Sequence, residues 1–492
     1  MAGGGTAGWM MATLLGRHFE RQPVAITVVE SSEIGTVGVG EATVPAIREY
    51  FREIGVSDYE VMKATDGTVK LGIEFDGWAG VGSTFFHPFG LYGTTDRGVP
   101  FHHYWLRCRQ AGDATPLDAY SLCTALARSG RFRPPPETAQ PDLSFYRWAV
   151  HFDATLYAKC LREFATRVLK VARIDAKIVE VSLRPEDGFI DHLRLDNGQN
   201  VAGDLFVDCT GFRALLIGDA LGIGYQDWTH HLPCNRAVAM GCTRTHALTP
   251  YTRSTARTAG WQWRIPLQHR VGNGYVYCNR YISDDEAVHA LKLSLEGEPM
   301  SEPLFIRFNT GRRDKFWVKN CVAAGLAAGF MEPLESTGLT LIQTAAEKLV
   351  NLFPDLSFSA ALADEFNRTT TLEYERIRDF LVLHYVANGR RGEPFWDECR
   401  HLSMPDPLAH KIRMFRDSGR FVQYEWETFF YPSWLSLYAG LDVLPERHDP
   451  RVDFYTLDEL RAGLERMRNQ ISAAVSKAAS HQEFIAQYIA RK

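Results

Sequence analysis

Gly3, Gly5 and Gly8 stand at GxGxxG spacing at the head of the chain, and the helix and strand patterns directly after them leave little choice of fold. Residues 9–19 read as an apolar helix, and residues 24–29 as a buried strand that ends on Glu30. Glycines at this spacing permit a tight turn and a close backbone approach, so a pyrophosphate can meet the free N–H groups of a helix N-terminus. Gly3, Gly5, Thr6, Ala7 and Gly8 form that cradle, and Glu30 can accept from a ribose hydroxyl. One part of the unit is short, because only Met1 and Ala2 precede the loop where the central strand should run. A doubly wound sheet without that strand should be unstable, so residues before the loop are expected to be missing from this sequence.

With 492 residues the chain exceeds what one core organises, and an enzyme of several modules is expected. A net charge of -5 offers no basic surplus for nucleic acid. Nine cysteines are scattered without a CxxC pair, which argues for reduced thiols and against zinc or any other metal site. No apolar run approaches the roughly 18 residues that span a bilayer, and no signal peptide precedes the first motif, so the protein is expected to be cytoplasmic with no membrane partner.

A helix-like stretch at 156–168 leads into two polar-apolar strands at 176–182 and 192–195, then an apolar strand that ends Asp208-Cys209-Thr210-Gly211. This order is similar to that of FAD-containing hydroxylase-type proteins, where Gly211 would let the backbone approach the cofactor; the plainer reading is a turn glycine. Gly38-Val39-Gly40-Glu41-Ala42-Thr43-Val44-Pro45 has the small residues of a strap over a ligand. In Gly260-Trp261-Gln262-Trp263-Arg264-Ile265-Pro266 two tryptophans at i and i+2 share one face of an extended segment, and Pro266 disfavours helix, so the stretch can wall a cavity. Without other motifs it would read as an aromatic core strand.

Residues 69–75 alternate strictly, placing Val69, Leu71, Ile73 and Phe75 on one face and Lys70 on the other, where a lysine is ordinarily solvated. Before the amphipathic run at 339–352, Pro333-Leu334-Glu335-Ser336-Thr337-Gly338 marks a helix N-terminus. Ser336 and Thr337 are natural caps there, and free N–H groups at Thr337 and Gly338 suit a small anion. Thr456 and Glu459 form a capping box for a C-terminal amphipathic helix, and the proline-rich stretch 131–142 reads as a loop.

GWxWxIP, PLESTG, the strap and the glycine loop together resemble the flavin-dependent halogenases, tryptophan and indole halogenases among them, from Gly3 to beyond Gly338. The resemblance implies an α/β fold: an FAD-binding doubly wound, hydroxylase-like domain over 1–345 with a substrate-side insertion at about 65–150, and a mainly helical module over 346–492. It implies reduced FAD (FADH2), chloride or bromide, and O2, with FADH2 supplied by a separate NAD(P)H-dependent flavin reductase. Gly40, Glu41, Ala42, Thr43, Gly211 and Gly325 join the glycine loop as flavin contacts, and the Thr337 and Gly338 amides hold halide. Lys70 and Glu335 are the catalytic pair. Lys70 acts either as a haloamine or as a hydrogen-bond donor to hypohalous acid, and Glu335 orients that species or takes the ring proton. Trp261, Trp263, Pro266 and Ser336 line the tunnel.

For the substrate, His87 and Phe89 of Phe85-Phe86-His87-Pro88-Phe89-Gly90 resemble the element that sandwiches an indole, and Trp434 closes an aromatic-rich tract that begins at Tyr424. No tyrosine pair followed by a glutamate, the family's clamp for the amino-acid end of tryptophan, aligns here. Indole or an aromatic derivative then fits better than free tryptophan, whose charges would be left unpaired. Rival readings are an FAD-dependent aromatic hydroxylase and a non-catalytic flavin-binding protein. Whether the chain forms a homodimer is left open.

Overall fold

The computed structural model describes residues 1–34, 40–136, 138 and 140–489. They form two compact units, each drawn from three stretches of chain: Met1–Gly67, Phe152–Thr229 and Arg307–Glu375 in the first, and Thr68–His151, His230–Ile306 and Arg376–Lys492 in the second. The division therefore does not fall at one boundary near 345.

In the first unit, strand Thr27–Glu30 pairs in parallel with Ala172–Asp175, and strand Phe206–Asp208 in parallel with Cys321–Ala323. Between these pairs runs the start of the chain. Ala2 bridges Val29 and Asp208, donating its N–H to the Val207 carbonyl at 2.8 Å, while its own carbonyl accepts the Cys209 N–H at 2.8 Å. The Gly3 N–H reaches Val29 O at 2.8 Å, and Val29 N–H reaches Met1 O at 2.9 Å. Residues 1–3 thus join the two strand pairs by backbone hydrogen bonds.

Behind the sheet, helix Thr6–His18 is buried on nearly every side from Gly8 to Gly16, which explains its unbroken apolar composition. Helix Ala154–Arg167 is capped by Asp153, whose Oδ1 accepts from Thr155 and Leu156 N–H. The strands Ile178–Leu183, Ile190–Leu195 and Asn200–Ala202 form the expected antiparallel meander.

The second unit is built on a large sheet in which Arg236–Cys242, Val271–Tyr277, Gly260–Pro266, Thr252–Arg257, Gly72–Asp76 and Thr84–Pro88 lie side by side. Register places Phe75, Ser254, Trp263 and Gly274 in one row, and Ile73, Thr252, Ile265 and Gly272 in the next. His87 lies opposite Ile73, so it shares this face with both tryptophans of the 260–266 strand. The other face carries the pairs Arg253–Glu74 and Arg264–Glu296.

The single alternating strand expected over 69–75 is corrected. Thr68–Lys70 pairs with residues 149–151, whereas Gly72–Asp76 belongs to the large sheet. The break falls at Leu71, whose N–H donates to Pro250 O at 2.8 Å. Gly72 makes the crossing feasible, since a Cβ there would lie 2.2 Å from His87 O and 2.5 Å from the Phe86 ring. With the chain changing sheets, Lys70 does not emerge into solvent: it is 0% exposed.

Within the stretch 131–142, Arg131–Phe132 is a short strand paired with Ala479–Ser480, and Glu137 and Ala139 lie outside the described residues. Helix Leu457–Ser476 opens on the Thr456–Glu459 capping box. No helix among the described residues is long and apolar enough to cross a membrane.

Candidate active site

The first unit holds the nucleotide elements. Gly3 has φ +103°, and a Cβ there would meet Cys209 O at 2.2 Å; a Cβ on Gly8 would meet Gly3 O at 1.9 Å. Both positions are closed to any other residue. Gly5 differs. It is the N-cap of helix Thr6–His18, contributes no side-chain cap, and a Cβ there would meet nothing within 4 Å. The open space lies at the free N–H groups and positive end of a buried helix, which is what a pyrophosphate requires, so these residues fit the cofactor. Gly325, at φ +64°, packs against Ala7, where a Cβ would come within 2.7 Å of the alanine methyl. Thr6 opens the helix itself.

Glu30 is held rather than bare: Trp9 Nε1 donates to it at 3.0 Å, and Arg173 Nε forms a close ion pair with it. Sequence reasoning missed both partners, because they are joined to Glu30 by the fold alone. Asp208 organises the second nucleotide segment. Its Oδ1 accepts from Thr210 N–H and hydroxyl, and its Oδ2 from Leu216 and Ile217 N–H, which presents Gly211 at φ +73° with open space beside it. On the strap, Gly38 and Val39 lie outside the described residues, while Gly40–Ala42 is a strand and Thr43 is buried. Desolvation raises the Glu41 carboxyl to about 7.

Ahead of helix Gly338–Asn351, Glu335 is 1% exposed and Ser336 adopts the left-handed conformation, φ 61°. The expected capping by Ser336 and Thr337 is corrected: Thr337 is the N-cap but makes no side-chain cap bond. Its φ and ψ of -87° and -13° are helical, which turns the hydroxyl from the N2 and N3 amides that a cap in the β region would meet. The Thr337 hydroxyl is buried with no hydrogen-bond partner among the described residues, while a Cβ on the exposed Gly338 would meet nothing within 4 Å. A buried, unused hydroxyl beside uncapped amides at a positive helix end is suited to a small anion.

The second unit gathers aromatics around Lys70. The Lys70 ammonium lies 5.2 Å from the Phe89 ring centroid, and Phe89 is 6.3 Å from His87. His87 also faces Phe380 at 5.9 Å and Phe429 at 6.1 Å. Phe380 stacks on Phe429 at 3.9 Å and meets Trp434 edge-on at 4.9 Å. The three residues expected to hold a ring, His87, Phe89 and Trp434, are thus brought into one cluster. Phe380 was not anticipated. It sits in a long helix whose apolar period gives every inward position the same appearance.

On the sheet face shared with His87, the Trp263 ring lies over Gly274, where a Cβ would come within 2.1 Å of it. Trp261 and Trp263 are 6.2 Å apart, and the Trp263 indole N–H and Ser254 hydroxyl are buried without partners among the described residues. Pro266 ends the strand against Thr68, two residues before Lys70.

The family profile described as tryptophan halogenase matches residues 1–456. The chain belongs to the tryptophan halogenase family. It is 36% identical over 485 residues to the tryptophan 6-halogenase ThaL of Streptomyces albogriseolus, covering 92% of this chain and 90% of that protein. Among solved structures it resembles BrvH, a flavin-dependent halogenase from Brevundimonas sp. BAL3, with a TM-score of 0.96 and 50% identity over 99% of this chain and 97% of that one. It also resembles the tryptophan 6-halogenase SttH from Streptomyces toxytricini, with a TM-score of 0.90 and 33% identity over 99% and 98% of the two chains. The protein is accordingly a flavin-dependent halogenase, and the α/β FAD-binding fold expected from the glycine loop is the fold of that family.

Proposed function

We propose that this halogenase installs bromine or chlorine on an electron-rich ring such as indole, held by His87, Phe89 and Trp434, with Lys70 presenting the electrophilic halogen. The observation that carries the reading is the placement of Lys70: fully buried, with its ammonium against Phe89 at the edge of the His87 and Phe380 cluster.

Gly3, Gly5, Thr6, Ala7 and Gly8 would hold the FAD pyrophosphate, Glu30 the ribose, and the strap with Gly211 and Gly325 the remaining contacts. Reduced FAD bound there supplies, with O2 and halide, the hypohalous acid, and a separate NAD(P)H-dependent flavin reductase provides the FADH2. The Thr337 and Gly338 amides, with the Thr337 hydroxyl, would hold the halide. Trp261, Trp263, Pro266 and Ser336 are the tunnel residues that the family resemblance implies. Desolvated, Lys70 interacts strongly with the acid, either as a neutral amine that takes the halogen or as an ammonium that donates to it. Glu335, buried ahead of helix Gly338–Asn351, would orient the halogenating species or accept the proton lost when the ring regains aromaticity.

Commitments within the aromatic tract favour a ring without an amino-acid tail. Glu427 is bound to Lys411 at 2.6 Å and to Gln423 at 2.9 Å, and Glu425 accepts the Trp426 indole N–H. A tryptophan ammonium would compete with Lys411 for the buried Glu427.

Mass spectrometry of indole and tryptophan incubated with the protein, FAD, a flavin reductase, NADH and bromide or chloride tests the proposal. A halogen isotope pattern on indole that Lys70→Ala and Glu335→Gln each abolish is the expected result. A product that gains oxygen without halogen would overturn it in favour of a hydroxylase.

A further inference from the structure

Lys70 lies on a strand whose neighbours hold it in an unusual way. Thr68–Lys70 is the edge strand of its sheet among the described residues, paired there with residues 149–151. An edge leaves backbone N–H groups unpaired, and in a dry interior each must find another acceptor. The Val69 N–H finds one in a side chain from the far end of the sequence, donating to His481 Nε2 at 3.1 Å. His481 Nδ1 lies 3.2 Å from the Leu248 carbonyl. A carbonyl can only accept, so Nδ1 carries the proton and Nε2 is left as the acceptor Val69 needs.

One residue earlier, the Thr68 hydroxyl donates to the Pro266 carbonyl at 2.6 Å. Its single proton is committed there, so it must accept from His151 Nδ1 at 3.0 Å. His151 Nε2 then accepts from the Thr252 hydroxyl at 2.9 Å. The result is a directed chain, Thr252 to His151 to Thr68 to Pro266, that ties the lysine strand to the GWxWxIP strand. Thr68, Val69, Lys70, His151 and His481 are each 0% exposed. Burial keeps both imidazoles neutral, and the charge of Lys70 adds to the effect at His151.

His481 is itself fixed. Ala479–Ser480 pairs with Arg131–Phe132, the His481 N–H donates to Gly130 O at 2.8 Å, Ser480 and Glu483 form a capping box, and Phe484 meets Phe132 edge-on at 4.7 Å. This segment lies beyond residue 456, where the family match ends.

We propose that His481, together with the Thr68–His151 pair, is a positioning residue for Lys70, so that the helix His481–Tyr488 is a working part of halogen transfer although it carries no reacting group. The proposal rests on Lys70 being the halogen-presenting residue. Two consecutive hydrogen bonds fix the backbone at 68 and 69, and with it the direction in which the Lys70 chain leaves for Phe89. An error of about 1 Å at such a group can cost on the order of a hundredfold in rate.

The test compares His481→Phe, which keeps a ring but loses the acceptor, with His481→Gln, whose amide can supply an acceptor and a donor. Indole bromination is followed with flavin reductase and NADH, escaped hypobromous acid is captured by a soluble β-diketone, and backbone exchange is read at Val69. Expected in His481→Phe is a fall in kcat of about tenfold or more with KM for indole unchanged. The diketone share of the halogen should rise, Val69 should exchange faster, and His481→Gln should restore all three. If His481→Phe fails to fold, Thr68→Val, which removes the hydroxyl at nearly constant shape, carries the same expectations for kcat and the diketone share. Unchanged kcat and diketone share in a folded His481→Phe or Thr68→Val would overturn the positioning role. Bromoindole formation by Lys70→Ala would instead overturn the reading on which it rests.

Discussion

Single glycines separate the demands of the fold from those of a ligand. Gly8 cannot carry a Cβ without striking Gly3 O, whereas Gly5 and Gly338 could each carry one without meeting any protein atom within 4 Å. Gly5→Ala and Gly338→Ala should therefore fold with wild-type melting temperatures. The first should weaken FAD binding, measured by flavin fluorescence, and the second should raise the bromide concentration that half-saturates turnover. Gly8→Ala should lose stability and FAD together. The steric requirement at Gly3 and Gly8 was legible in the sequence because it is written in the residue type itself. The burial of Lys70 was not, since it depends on a sheet change at Leu71 that alternation alone cannot reveal. Glu41 gives a pH-dependent case. Its carboxyl stands at about 7 when folded against an ordinary 4.5, so folding disfavours its charge, and the group costs stability increasingly as pH rises from 4.5 through 7. Glu41→Gln, measured without FAD, should match the wild type at pH 4 and melt several degrees higher at pH 8.

At the scale of elements, the tract from Tyr424 to Trp434 hangs on a buried ion pair. Lys411 Nζ lies 2.6 Å from Glu427 Oε1, with side chains 3% and 2% exposed, and 4.5 Å above the Trp434 ring. Trp434 in turn meets Phe380 and Tyr438. Glu427→Gln leaves a buried ammonium without its counter-charge, and should cost about 3–5 kcal/mol in urea unfolding. Pairing it with Lys411→Met removes both charges, and the double variant should recover most of that loss. A single variant that unfolds at the wild-type urea midpoint would show the pair to be solvated. Sequence could count six aromatics in eleven residues here but could not distinguish packing from substrate contact. The lysine that supports Trp434 comes from a separate helix, Asp406–Ser418, so only the tertiary arrangement joins them. The N-terminus at Thr337 teaches the converse. Residue types suited to capping stand there, yet the observed backbone leaves the hydroxyl unused and the amides open.

Across the whole molecule, the residues assigned to flavin and halide all lie in the first unit, while Lys70, His87, Phe89, Phe380 and Trp434 lie in the second. Each unit recruits from the beginning, middle and later parts of the chain, and no change of composition marks the junctions near 67, 151, 229, 306 and 375. A reading along the sequence could therefore find the motifs and the family, but not the way the chain alternates between units. The division has a measurable consequence. A side chain in the second unit that serves the ring should be separable from cofactor capture. His87→Ala and Lys70→Ala should retain wild-type FAD affinity while losing bromoindole formation, and Gly5→Ala should lose FAD affinity yet still bind indole in a direct titration. Variants at His87 and Lys70 that bind FAD as poorly as Gly5→Ala would mean that flavin capture draws on both units, and the assignment of the nucleotide site to the first unit alone would have to be withdrawn.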